Sequence, residues 1–134
     1  MGSHLYSPSM VVVAEVAVSK GHIRPDELVR HMDIRLHDAL HRCPWRPGRN
    51  PVEDATRVSQ WEMVSIHPAG QTMRAHVSLV IELTAKQMYA FERWCDSVAA
   101  TLKYLEMVTE DYELNYSSVS YQLEVKGHVN QVLI

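Results

Sequence analysis

The chain of 134 residues is long enough to bury a full hydrophobic core without metals or disulfides, and 46% of it is apolar. Its formal net charge of −3 excludes a global electrostatic drive towards nucleic acid or an anionic membrane, though not a local basic patch. The two cysteines, Cys43 and Cys95, both fall on apolar stripes of predicted helices, which favours buried reduced thiols and an intracellular, non-secreted setting.

Met1-Gly2-Ser3-His4 reads as the scar of an expression vector, with Met10 as a candidate natural start. Residues 1–9 are therefore set aside as a disordered or vector-derived segment, and 10–134 are read as one α+β domain. Val11 to Val18 is too short to cross a bilayer, contains Glu15 and follows no basic segment, so it is neither a membrane span nor a signal peptide. It reads as a strand, with Val12, Ala14, Val16 and Val18 towards a core and Val11, Val13, Glu15 and Ala17 on the other side. So apolar a second side predicts a central strand, or one whose outer face meets a partner.

Gly21 breaks this pattern, and Pro25 with Asp26 and Glu27 marks a helix start, the acids lying at the positive end of the helix dipole. Leu28, Met32, Leu36, Ala39, Leu40 and Cys43 form its buried stripe, and Pro44 ends it. Pro44 to Thr56 has three prolines, one glycine and no periodicity, and predicts a long loop that is functional or ordered on assembly, with Trp45 as its anchor. Arg57 to Ile66 reads as a second strand, and His67 to Gln71 as a hairpin connection.

From Thr72 to Thr84 the residues Met73, Ala75, Val77, Leu79, Ile81 and Leu83 alternate with mostly polar neighbours, which predicts a strand with one buried face. Thr84-Ala85-Lys86-Gln87 then has the form of a capping box, and Met88, Phe91, Cys95, Val98, Leu102 and Leu105 recur at helical spacing, with Trp94 at the edge of the stripe. Beyond that helix, Tyr112, Leu114 and Tyr116 and then Val119, Tyr121, Leu123 and Val125 take the inward positions. The parity changes at Ser117-Ser118, which requires a tight hairpin there or a bulge in one long strand. The apolar tail residues Val132, Leu133 and Ile134 need a docking surface on this domain or a neighbour.

The order strand, helix, strand, strand, helix and one or two strands predicts a two-layer α+β sandwich, with both helices on one face of an antiparallel sheet as in ferredoxin-like folds. Three sets of residues offer chemistry. Asp33, His37 and His41 are spaced for one side of a helix, as metal ligands are, but on the side away from its buried stripe, where a solvated polar face is the competing reading. His76 and Ser78 share a sheet face and His128-Val129-Asn130 repeats part of that pattern, which resembles the paired His-x-Ser/Thr motifs of 2H phosphoesterases. The resemblance implies His76 and His128 as acid and base and Ser78 as a phosphate ligand, with Asn130 standing where a hydroxyl is expected. Arg42, Arg46, Arg49 and Arg57 around Trp45 suit phosphate contacts, although Glu53 and Asp54 follow closely; nucleic acid is expected to meet this chain through the Arg46 and Arg49 loop or not at all. Nothing points to a cofactor.

The helix from Asp26 to Arg42, the long loop, the hairpin from Arg57 to Leu83, the helix from Ala85 to Leu105 and the closing Ser117-to-Val125 segment together resemble the small tail-terminator and head-to-tail joining proteins of tailed phages. The likeness is one of element order and size, and the first strand departs from it. It implies a non-enzymatic subunit, cytoplasmic or virion-borne, that forms a homo-oligomeric ring and meets other assembly proteins. Its interface would use sheet edges, the loop with Trp45, Arg46 and Arg49, the tail with Val132, Leu133 and Ile134, and the outer face of the first strand at Val11 and Val13. A 2H-like phosphodiesterase and a small protein-binding or inhibitory module are the alternatives.

Overall fold

The computed structural model describes residues 4–47, 51–68, 70–105, 107–108 and 112–127. Its elements are β1 (Tyr6–Gly21), α1 (Pro25–Arg42), the single turn α2 (Val52–Ala55), β2 (Thr56–Val58), β3 (Glu62–His67), β4 (Gly70–Leu79), α3 (Ala85–Tyr104), β5 (Met107–Val108) and β6 (Tyr112–Gly127). One antiparallel sheet runs in the order β2-β4-β1-β6-β5, with β3 also paired to β4. Since β1 and β3 are both antiparallel to β4, they are parallel to each other with β4 between them, and the chain reaches the second from the first through α1. This is the split β-α-β arrangement expected of a ferredoxin-like order.

The sheet's alternation decides what is buried. Met10, Val12, Ala14 and Val16 of β1 and Met73, Ala75, Val77 and Leu79 of β4 face the helices and join one core with Leu28, Met32, Leu36, Phe91, Trp94, Cys95, Val98 and Leu102. Helix α3 starts where the capping box predicts: Gln87 N–H donates to the Thr84 hydroxyl and the Gln87 side chain accepts from Thr84 N–H at 2.8 Å. Trp94 belongs to the stripe rather than its edge, because its indole N–H donates to the Cys43 carbonyl at 2.7 Å and ties α3 to the end of α1.

Several boundaries differ from those read in the sequence. Strand β1 begins at Tyr6, inside the segment that was set aside, because Tyr6 pairs with both Gly127 and Leu83. Pro8 is tolerated there: Tyr6 turns its N–H and C=O towards Leu83, so the same-parity position 8 lacks its N–H on the side where the ladder with β4 has not yet begun. Val18, expected inward, is 37% exposed and sits at a register shift between Val18 and Lys20. The strand expected from Arg57 to Ile66 is broken at Ser59–Trp61. Ser59 instead caps both backbone groups of His76, and Trp61 turns inward to 2% exposure. Strand β4 stops at Leu79, because Val80 N–H donates to the Ala55 carbonyl and Leu83 returns to pair with Tyr6. The parity change at Ser117 is a bulge in one long strand: Glu15 pairs with Ser118 and Val16 with Tyr116, leaving Ser117 over.

Candidate interaction surface

The two edges of the sheet are unequal. Strand β6 pairs with β1 along its whole length but with β5 only at Met107–Leu114 and Val108–Glu113. From Asn115 to Gly127 its outer edge has no strand neighbour among the described residues. Which groups point outward follows from the hydrogen bonds at the far side of the sheet. His76 and Ser59 exchange bonds across the β4 edge, so His76 turns its backbone groups away from β1, and its neighbour Val11 turns its own towards β6. Val11 pairs with Gln122, so the even positions Ser118 to Lys126 bond β1 while Val119, Tyr121, Leu123 and Val125 aim their N–H and C=O at the open edge. Those four side chains lie on the helix side, Val119, Tyr121 and Leu123 packed against the core and Val125 half-buried. The Tyr121 hydroxyl donates to the Asp96 carboxylate, which fixes α3 over the edge strand; burial first and Asp96 second hold its phenol well above the ordinary range.

The opposite edge consists of β2 and β3. Glu62, Ser65 and His67 face β4 with their backbone groups, which leaves those of Met63 and Ile66 outward. A register shift between Met63 and Ser65 leaves Val64 over. Val64 and Ile66 are 48% and 73% exposed, and Ile66, opposite Gln71, lies on the helix side beyond the part of the sheet that is covered. These are sizeable apolar side chains on an open strand, the arrangement that invites another strand.

The expected interface residues that the structure describes lie on other surfaces. Val11 and Val13 do face outward, between His76 and Gln122 and between Arg74 and Ser120, yet Val11 is only 6% exposed because its polar neighbours close over it. Trp45 is turned to its own chain, its ring 5.8 Å from Phe91 and 5.9 Å from Trp94. With Arg42, Cys43, Arg93, Ser97 and Thr101 it lines an open cleft of about 480 Å³. Arg42 is held there by Asp38 at 3.1 Å, and the Cys43 sulfur lies 3.3 Å from the Thr101 hydroxyl. Arg46 is exposed beside this cleft. Arg49, Val132, Leu133 and Ile134 lie outside the described residues.

Neither chemical constellation is complete among the described residues. His76 and Ser78 lie on the outer face, but no described side chain bonds the His76 imidazole, and His128 lies outside the described residues. In the Asp33, His37 and His41 row, Asp33 accepts from the Trp61 backbone N–H at 3.4 Å and its pKa is raised, chiefly by desolvation. No group of three His, Cys, Asp or Glu residues among those described is placed to hold a metal. Both cysteines are free and buried, and burial, reinforced by Asp96 and Glu92, pushes the Cys95 thiol far up and leaves it an inert core group.

One polar cluster had no counterpart in the sequence reading. On the outer face Glu15 accepts from the Thr72 hydroxyl at 2.8 Å and lies 2.9 Å from His67 Nε2. These bonds, first Thr72 and then His67, lower the Glu15 pKa. The only sequence signal for it was a lone acid in a valine strand. Among the described residues, no helix is long and apolar enough to cross a membrane. No protein-family model, curated protein or solved structure matches the chain.

Proposed function

We propose that this chain is a non-enzymatic structural subunit that acts by assembling with copies of itself and with other assembly proteins, in the manner of the phage tail-terminator proteins it resembles in element order. The observation that carries this reading is the open edge of β6, where four successive odd-numbered residues aim donors and acceptors away from β1 with no strand neighbour among the described residues. Such an edge is a template for another strand, and stable proteins otherwise keep edges short, bulged or covered.

Magnitudes decide what the edge needs. Each backbone hydrogen bond made on association nets about 1 kcal/mol, while association costs at least ~4 kcal/mol in lost freedom. Backbone pairing alone is therefore marginal. Covering an exposed aliphatic chain adds about 1.5–3 kcal/mol, and Val64 and Ile66 are available for that. The phosphodiesterase reading has no such support, since no described group is set to share acid and base work with His76.

Light scattering over a wide concentration range tests the proposal. The expected result is a mass several times that of the 15.3 kDa chain, falling on dilution. A mass of one chain at every concentration would refute self-assembly.

A further inference from the structure

We infer that the mate of the β6 edge is the β2–β3 edge of a second copy, so that subunits join head to tail rather than about a two-fold axis. This rests on the assembly reading above and adds the identity of the partner surface. Strand polarity allows it: β3 is antiparallel to β4, and β4 and β6 are both antiparallel to β1, so β3 runs opposite to β6. A second copy placed with its helices on the same side therefore extends the sheet by an ordinary antiparallel ladder. The register that overlaps the two edges most fully opposes Met63 to Tyr121 and Ile66 to Val119. All four of these turn their free backbone groups to the partner and their side chains to the helix side. Ile66 would then lose its exposure against Val119 and Tyr121 of the next copy.

The helices above the edges decide between the two symmetries. Over β6, α3 presents Glu92 and Asp96, fixed by Tyr121, whose hydroxyl reaches the Asp96 carboxylate and the Glu92 carbonyl. Over the β2–β3 edge, α1 presents the flank that carries Asp33, which bonds the Trp61 backbone, and with it exposed Arg30 and His37 one turn to either side. Pairing β6 with β6 about a two-fold axis would set the Glu92 and Asp96 pair against its own copy. Pairing β6 with β3 sets that acidic pair against the Arg30 guanidinium, on a flank where the Asp33 carboxylate is turned to the Trp61 backbone N–H. Like charges facing each other select against the first arrangement and opposite charges favour the second. Repeated head to tail, the contact gives a ring if the rotation closes.

Charge reversal separates the possibilities. Glu92→Arg and Arg30→Glu, each in the full chain, are expected to raise the concentration of half-assembly about tenfold, and the chain carrying both reversals to regain most of the wild-type value. Circular dichroism melts of all three verify that they fold. An oligomer indifferent to Arg30→Glu, or one not rescued by the double reversal, would overturn the head-to-tail contact and leave the assembly proposal standing. A wild-type chain monomeric at all concentrations would overturn both. Ile66→Lys offers a second variant: it should weaken assembly without lowering the melting temperature, and unchanged assembly would count against the contact.

Discussion

Gly70 opens β4 with φ at 145°, and a Cβ built there would lie 2.2 Å from the Val16 carbonyl oxygen. Both the dihedral and the approach demand glycine, because the hairpin must bring its second strand against the backbone of β1. Gly70→Ala should cost about 2–4 kcal/mol, read as a lower melting temperature, and an unchanged melt would contradict this geometry. Glu15 makes a different prediction. Its pKa is depressed below the ordinary 4.5 by Thr72 and His67. A group stabilised in its charged form contributes fully above its unfolded pKa and loses that contribution as pH falls through the folded value. The melting-temperature advantage of wild type over Glu15→Gln should therefore be present above about pH 5 and shrink in more acidic buffer; an advantage that grows on acidification would show the sign to be wrong.

At the scale of elements, the helices and the parity change were legible because their signals are local, although a hairpin and a bulge both fitted that change until the pairing with β1 decided for the bulge. The apolar stripe of α1, the Thr84 to Gln87 box and the parity change at Ser117 each lie within a few residues, and each appears where expected. The break at Ser59–Trp61 was not legible, since it arises from Ser59 serving His76 on another strand. The open edge was hidden for a related reason: alternation reveals which face of a strand is buried but not which neighbour it has, so nothing marked β6 as an edge strand. That edge now predicts an unusual pair of proline effects. Leu123 points its N–H outward and Gln122 points its N–H to β1. Leu123→Pro should fold and fail to assemble, whereas Gln122→Pro should lose a ladder bond and about 3 kcal/mol or more of stability. Circular dichroism melts with gel filtration read both, and equal melts for the two variants would contradict the assigned parity.

For the whole molecule, the two-layer sandwich leaves one long strand edge without a strand neighbour among the described residues and places exposed aliphatic side chains on the opposite edge. Element order and size pointed to a ring-forming subunit with contacts at Val11, Val13, Trp45, Arg46, Arg49, Val132, Leu133 and Ile134; of these, Trp45 and Val11 are packed within the described fold, Val13 and Arg46 face outward, and the other four lie outside the described residues. The head-to-tail contact we propose uses Val119, Tyr121, Leu123 and Val125 on one side and Met63 and Ile66 on the other. The most direct measurement is the light-scattering mass of wild type beside Leu123→Pro at matched concentrations. The account predicts a concentration-dependent oligomer for the first and a folded single chain for the second; the same oligomer in both, or a single chain in both, would contradict it.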